Sequence, residues 1–238
     1  MPTLPALARL LPGMALTLAA WLPVAALADP SDPMARRAKA CTACHGERGR
    51  AAADGYYPRI AGKPAAYLYE QLRAFRDGRR RYALMTHLLE PLSDDYLMAL
   101  AEHFASLDLP YDPPQPAAAD PATLARARQL VQQGDPARPA CADCHGERLT
   151  GVRPAVPSLL GLPRDYLNAQ LGAWRTGTRV AREPDCMAEV ARRLAPEDIA
   201  ALSAWLAAQP VPVPATPAAA LPRDLPLRCG GDPAATAR

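Results

Sequence analysis

Two pentapeptides of the form Cys-x-x-Cys-His constrain this chain more than any other feature. They occupy residues 41–45 and 141–145, and each continues with Gly-Glu-Arg. In this motif the two thiols bond to the vinyl groups of a c-type haem, and the histidine takes one axial position on the iron. We therefore predict two covalently bound haem c groups. Their attachment residues are Cys41, Cys44, His45, Cys141, Cys144 and His145.

The two motifs belong to an internal duplication. Residues 57–78 and 156–177 repeat each other at a constant offset of 99, which becomes 102 after a three-residue insertion in the second half. Repetition over such a length indicates two equivalent folding units. Each half of the chain is therefore expected to hold one haem.

Apolar residues at helical spacing follow each motif. One face of the predicted helix is formed by Leu68, Leu72 and Phe75, and in the repeat by Leu167, Leu171 and Trp174. A closing helix is expected to begin near Ser93 in the first half and at Pro196 in the second. No stretch alternates in the manner of a strand. The predicted fold is all-α, with a few short helices around each haem.

The repeat also selects a candidate for the second axial ligand of each iron. Met85 aligns with Met187 at the offset of 102, and these residues stand 40 and 42 positions after their haem histidines. Packing in the core is the alternative role for both methionines. Met98, His87 and His103 align with Ala200, Glu189 and Trp205, so they have no equivalents. We predict His45/Met85 and His145/Met187 as the two ligand pairs, with ligands that leave no vacant position for a substrate.

A prolyl carbonyl is a candidate partner for each haem histidine. A ligating histidine normally uses its other ring nitrogen in a hydrogen bond that fixes the ring. Pro58 and Pro157 follow the two histidines by 13 and 12 residues. We expect their carbonyl groups to accept these bonds, although both prolines could serve only to turn the chain.

The N-terminus has the pattern of an export signal. An apolar run from Leu10 to Leu27 ends in Ala26-Leu27-Ala28, which predicts a signal peptide over 1–28 and a periplasmic protein. A retained membrane anchor is the alternative, but prolines interrupt the run. The rest of the chain divides into a first domain (29–109), a Pro-rich linker (110–120), a second domain (121–210) and a Pro/Ala-rich tail (211–238). The formal net charge is only +3, so no global field favours nucleic acid.

These features resemble the diheme cytochrome c4 family, in which two class I cytochrome c domains follow one another. The resemblance covers about residues 33–210 and rests on the haem motifs, the Tyr-Pro…Gly and Tyr-Leu…Gln-Leu segments, and the aligned methionines. It implies a non-enzymatic electron carrier that is soluble or peripherally associated with the membrane. It also implies two haems that face each other and join through their propionates. A respiratory dehydrogenase or cytochrome complex would be the donor, and a haem-copper terminal oxidase the acceptor.

The two cysteines outside the motifs depart from that pattern. Cys186 directly precedes Met187, and Cys229 lies in the tail. In an exported chain the leftover pair is expected to form a disulfide that holds the tail beside the second methionine. The rival interpretation makes Cys186 an iron ligand, as in enzymes that handle thiosulfate.

Three classes of function therefore stay open at this point. The leading one is a carrier of single electrons between respiratory proteins. The alternatives are a cytochrome subunit of a larger dehydrogenase or oxidase complex, and a diheme enzyme such as a peroxidase or a thiosulfate-oxidising enzyme. The run Arg79–Arg81, in which Arg80 aligns with Arg179, is either a solvated helix end or a set of partners for haem propionates or an acidic protein.

Overall fold

A computed structural model describes residues 34–52, 55–117 and 119–230 of the chain. The predicted signal peptide lies outside these residues. The helices of the first half are α1 (Met34–Arg37), α2 (Lys39–His45), α3 (Ala65–Arg76), α4 (Ala83–Leu89) and α5 (Asp94–Ala105). Those of the second half are α6 (Pro121–Gln132), α7 (Cys141–His145), α8 (Arg164–Thr176), α9 (Cys186–Arg192) and α10 (Pro196–Ala207). A short 3₁₀-helix (Glu47–Gly49) and isolated bridges, but no strands, accompany them in the described residues, so the predicted all-α fold is confirmed.

The two halves pack their helices in the same order. In the first half α3 packs against α5 and α4, and α1 packs against α5. In the second half α8 packs against α10 and α9, and α6 packs against α10. Apolar side chains fill each core, with Leu68, Leu100 and Phe104 in one and Leu167, Leu202 and Leu206 in the other. The two halves of the duplicated sequence therefore pack their corresponding helices in the same way.

Helix termini follow the chemistry of their caps. The hydroxyl of Ser93 accepts a hydrogen bond from the backbone N–H of Tyr96, and α5 begins at the next residue, Asp94, as expected. Pro196 is the first residue of α10, also as expected. The sequence analysis did not anticipate α6, although Asp120 caps its first turn and Pro121 stands at its first position.

A network of ion pairs joins α6 to α10 beside the second haem motif. The guanidinium of Arg126 lies 3.1 Å from Asp198 and 3.2 Å from Asp135. Arg138 contacts the same two carboxylates and is buried. Because Arg138 and both carboxylates have little access to water, the network stabilises this corner more than single surface pairs would.

The connector between the halves has no helix but is held on both sides. Arg59 donates to the carbonyl oxygens of Leu109 and Pro110 at 2.6 and 2.9 Å, and its guanidinium stacks on the ring of Tyr111. Further along, the backbone N–H of Gln115 donates to the carbonyl of Ala207 in α10. The proline-rich connector is therefore fixed along the surface, while the predicted domain boundaries stay a prediction.

Candidate functional site

The residues of the first motif line a cavity in the first half. The cavity has a volume of about 100 Å³ and apolar walls. Cys41, Cys44 and His45 reach it from α2, and Met85 reaches it from α4. The structure thus brings together four residues that the sequence separates by up to 44 positions.

The second half repeats this arrangement on a larger scale. A cavity of about 580 Å³ is lined by Cys141, Cys144, His145 and Met187. It extends to the junction between the halves, where residues of α3 also line it. Met98, His87 and His103 line neither cavity, in agreement with their lack of equivalents in the repeat.

Each haem-motif histidine is oriented by a prolyl carbonyl, as predicted. Nδ1 of His45 lies 2.8 Å from the carbonyl oxygen of Pro58, and Nδ1 of His145 lies 2.8 Å from that of Pro157. Because a carbonyl only accepts, Nδ1 must carry the proton. Nε2 is then left with its lone pair, which is the state that a metal-binding imidazole requires.

Burial keeps both imidazoles neutral. It lowers the pKa of His45 and of His145 below the ordinary value for histidine, and the hydrogen bonds to the prolines offset only part of that effect. A positive charge adds to the lowering at each site, from Arg80 near His45 and from Lys63 near His145. Neutral rings can bind iron without first losing a proton.

The two methionines stand in the first turns of the short helices α4 and α9, and each helix is held by a side-chain hydrogen bond near its methionine. In the first half the hydroxyl of Thr86, next to Met85, donates to the carbonyl of Phe75 at the end of α3. In the second half the carboxylate of Asp185 accepts from the N–H of Ala188, which caps α9 just before Met187. These contacts hold each thioether in the wall of its cavity.

The motif cysteines form no disulfides with one another. Burial raises the pKa of Cys41, Cys141 and Cys144 to about 11, so these thiols are protonated at neutral pH. Each pair therefore supplies two free thiols at the edge of an apolar cavity. Those are the groups that thioether attachment of a haem consumes.

Two arginines meet at the junction of the halves. Arg80 donates to the side-chain oxygens of Gln71 and Gln170 at 3.0 and 2.7 Å, and Arg179 donates to the same two oxygens at 2.6 and 2.9 Å. Arg80 also donates to the hydroxyl of Tyr166. Both arginines are buried, so the interpretation of a solvated helix end is wrong for Arg80.

These buried cations have no anionic partner among the residues that the structure describes. Within residues 34–52, 55–117 and 119–230, no carboxylate forms an ion pair with Arg80, Arg179 or Lys63, all of which are buried. Burying a charge without a counter-charge is costly. The carboxylates of haem propionates would supply the missing charge. Arg80, Arg179 and Lys63 would therefore serve as partners for the carboxylates of bound haems.

The tail is tied to the second cavity. A disulfide joins Cys186 to Cys229, as predicted, and residues 219–221 and 223–225 form part of the cavity wall. Ala218 exchanges backbone hydrogen bonds with Gly151 and Arg153, at 2.9 and 2.8 Å. The first cavity has no such cover, and Leu84 and Leu88 at its rim are 65% and 37% exposed.

Sequence reasoning assigned no role to several residues of these sites. Gln71, Gln170 and Tyr166 were visible as repeated positions, and that repetition was the only available signal. Lys63 gave no signal at all, because its equivalent in the second half is Leu162. Only the packing of one half against the other shows where these side chains lie.

Comparison with known proteins adds independent evidence. A family model described as cytochrome c matches residues 35–100 and 124–209. A thiosulfate dehydrogenase electron acceptor from Thiomonas intermedia is 39% identical over 73% of this chain and 80% of its own length. Cytochrome c4 from Pseudomonas aeruginosa is 36% identical over 74% of this chain and 87% of its own.

Two solved structures are similar as well. Reduced cytochrome c4 from Pseudomonas stutzeri has a TM-score of 0.63 and 30% identity, covering 73% of this chain and 95% of that chain. Thiosulfate dehydrogenase from Marichromatium purpuratum has a TM-score of 0.64 and 35% identity. The similarity to the latter covers 71% of this chain but only 36% of that longer chain.

Proposed function

The chain belongs to the cytochrome c family as a diheme electron carrier of the cytochrome c4 type, and we propose that it accepts electrons from a thiosulfate dehydrogenase and passes them toward a haem-copper terminal oxidase. It binds two haem c groups covalently. The proposed donor is supported by the relatives from Thiomonas intermedia and Stutzerimonas stutzeri, which are both named as electron acceptors of that enzyme.

One observation carries the proposal: both cavities place a carbonyl-oriented histidine and a methionine in the wall of the same site. We propose that His45 and Met85 are the axial ligands in the first half and that His145 and Met187 are those in the second. When bound with two such ligands, a haem iron gains or loses one electron and has no open position for a substrate. Each transfer then moves one electron from donor to acceptor, and no bond to the carrier is made or broken.

The protein around each site serves this simple exchange. The mainly apolar side chains around each site limit the access of water, and the fixed histidine and anchored methionine resist movement when the charge on the site changes. Thioether ligation also favours the reduced state relative to ligation by two histidines. A site of this kind suits a carrier that receives electrons readily.

The disulfide argues against the enzyme alternative. The sulfur of Cys186 is bonded to Cys229, so it does not offer the thiolate that the thiosulfate-oxidising interpretation required. The disulfide also fits an oxidising compartment. Together with the predicted signal peptide, it supports a periplasmic location. No helix in the described ranges combines the length and apolar character that crossing a membrane requires.

The proposal is tested with purified protein from a host that matures c-type cytochromes. A pyridine haemochrome assay should give two haems per chain, and spectra should show both to be low-spin. Thiosulfate with a catalytic amount of thiosulfate dehydrogenase should reduce both haems, while thiosulfate alone should not. Reduction by thiosulfate without the enzyme, or a high-spin ferric haem, would contradict the carrier and favour the enzyme.

A second candidate is an electron-accepting unit held permanently by its dehydrogenase. The similarity to about a third of the Marichromatium purpuratum chain supports this arrangement. Size-exclusion chromatography of the native protein separates the two candidates. A freely diffusing carrier elutes at the mass of one chain or of its own oligomer, whereas a bound unit elutes together with dehydrogenase activity.

A further inference from the structure

Lys63 belongs to the first half of the chain but lies in the second haem site. It directly precedes Pro64 and α3, and its side chain is only 7% exposed. It lines the same cavity as Cys144 and His145, and its charge acts on His145. One half therefore contributes a cation to the cofactor site of the other.

The described part of the chain offers no ion-pair partner for the charge of Lys63. Among the described residues no hydrogen bond or ion pair engages its ammonium group, and the charge of Arg59, which is also a cation, acts on it unfavourably. Burial lowers its pKa to about 8, and Tyr166 offsets only part of that effect. An anion from outside the polypeptide would stabilise the charged form of a lysine buried in this way.

The first haem site has no such cation in its walls. No Lys, Arg, Asp or Glu lines the first cavity in the part of the chain that the structure describes. At the position equivalent to Lys63 the second half carries Leu162, which is buried in an apolar core. Arginines such as Arg138 and Arg179 also line the second cavity, so Lys63 is one of several charged residues by which the two cavities differ, and it is the one that the first half contributes beside His145.

We propose that Lys63 pairs with a carboxylate of the second haem across the junction and thereby makes that haem easier to reduce. Ferric haem carries one more positive charge than ferrous haem. An unpaired carboxylate near the iron favours the ferric state, and a cation that neutralises it removes this preference. Lys63 thus tunes the second haem and not the first.

This inference rests on the proposed electron carrier and is tested by spectroelectrochemical titration of the intact diheme protein. Lys63→Met keeps the length of the side chain and removes the charge, whereas Lys63→Arg retains it. Lys39→Met is the matched control, because it removes an exposed lysine. Met187→His, which replaces a proposed ligand of the second haem, identifies the titration wave of that haem.

In Lys63→Met we expect the wave of the second haem to move to lower potential while the other wave stays in place. At a fixed potential the ratio of ferrous to ferric second haem should fall by up to about tenfold, or 59 mV for a one-electron couple. Lys63→Arg should restore most of the shift, and Lys39→Met should cause none.

Two results would overturn the inference. If Lys63→Met left both waves in place, or moved the wave of the first haem, Lys63 would not tune the second haem. If the protein shows two reversible redox transitions and substitution of Lys63 shifts neither, the role of Lys63 is wrong but the proposed electron carrier is not contradicted. A protein without two reversible waves would overturn both.

Discussion

Arg80 and Arg179 lie opposite each other in an isolated antiparallel bridge at the junction of the two halves. Their guanidinium groups share the side-chain oxygens of Gln71 and Gln170, and each stacks on an aromatic ring, Phe75 for Arg80 and Trp174 for Arg179. Burial and the charge of Arg80 lower the pKa of Arg179 to about 10. Neutral amides and rings hold the two like charges together here, and the carboxylates of bound haems would supply a balancing charge.

Arg179 is expected to stabilise the junction measurably. Replacing it with methionine removes two charge-assisted hydrogen bonds and the stacking on Trp174, and should lower the free energy of unfolding by about 2 kcal/mol. Chemical denaturation followed by haem absorbance measures this change. The exposed Arg164→Met serves as control and should cost less than about 0.5 kcal/mol. Equal stability of the two variants would contradict a structural role for the buried pair.

Replacing either proposed methionine ligand should affect only the haem of its own half. Met85→Ala and Met187→Ala should each leave one haem able to bind added imidazole, with a lower midpoint potential for that haem, because thioether ligation raises the potential. Spectral titration with imidazole counts the haems affected. Met98→Ala, which alters a half-buried methionine of α5, is the matched control. If neither haem binds imidazole in the Met85 or the Met187 variant, the replaced methionine is not an iron ligand.

The disulfide should secure the tail over the second site. Cys186 and Cys229 close a loop of 43 residues, for which chain entropy predicts a contribution of about 4 kcal/mol. In Cys186→Ser/Cys229→Ser we expect a lower free energy of unfolding and faster proteolysis within residues 211–230. Denaturation and limited proteolysis with mass spectrometry measure the two effects. Unchanged cleavage of the tail would show that the backbone bonds of Ala218 suffice to hold it.

Because Asp135 forms ion pairs, the free energy of unfolding should depend on pH in the acid range. The hydrogen bond from Arg138 is the main reason that the pKa of Asp135 lies below its ordinary value of 3.8. A carboxyl group with a depressed folded-state pKa stabilises the protein above about pH 4, and the contribution is lost as pH falls through the folded-state pKa. Asp135→Asn should therefore cost about 1 kcal/mol at neutral pH. Denaturation at several pH values should show that difference shrinking below about pH 4, and a difference constant with pH would contradict this account.

The exposed rim of the first site should be where a protein partner approaches. Leu84 lines the first cavity and is 65% exposed, whereas the tail covers part of the second cavity. Leu84→Asp should slow reduction by thiosulfate dehydrogenase on the order of tenfold, which is about 1.4 kcal/mol. Stopped-flow absorbance measures that rate, and reduction by ascorbate checks that the haems themselves are unchanged. Val213→Asp, at a still more exposed position in the tail, should have no effect, so equal slowing by both variants would place the contact elsewhere.

Local patterns were enough to predict much of this protein. The Cys-x-x-Cys-His strings indicate haem attachment because thiol spacing and an adjacent imidazole are properties of consecutive residues. Repetition then aligned Met85 with Met187, and the distances from His45 and His145 pointed to Pro58 and Pro157, whose carbonyls the structure places 2.8 Å from the two rings. Helix starts at Ser93 and Pro196 followed from capping chemistry that operates within one turn.

Tertiary structure decided what depends on contact between distant segments. Arg80 looked like part of a solvated run because its neighbours Arg79 and Arg81 are charged, yet it is buried through contacts with residues 86 and 90 positions away. Lys63 had no counterpart to reveal it, and its place in the second haem site arises only when the halves pack together. A sequence reports each residue's chemistry and its neighbours along the chain, whereas burial and the pairing of charges depend on which surfaces meet in three dimensions.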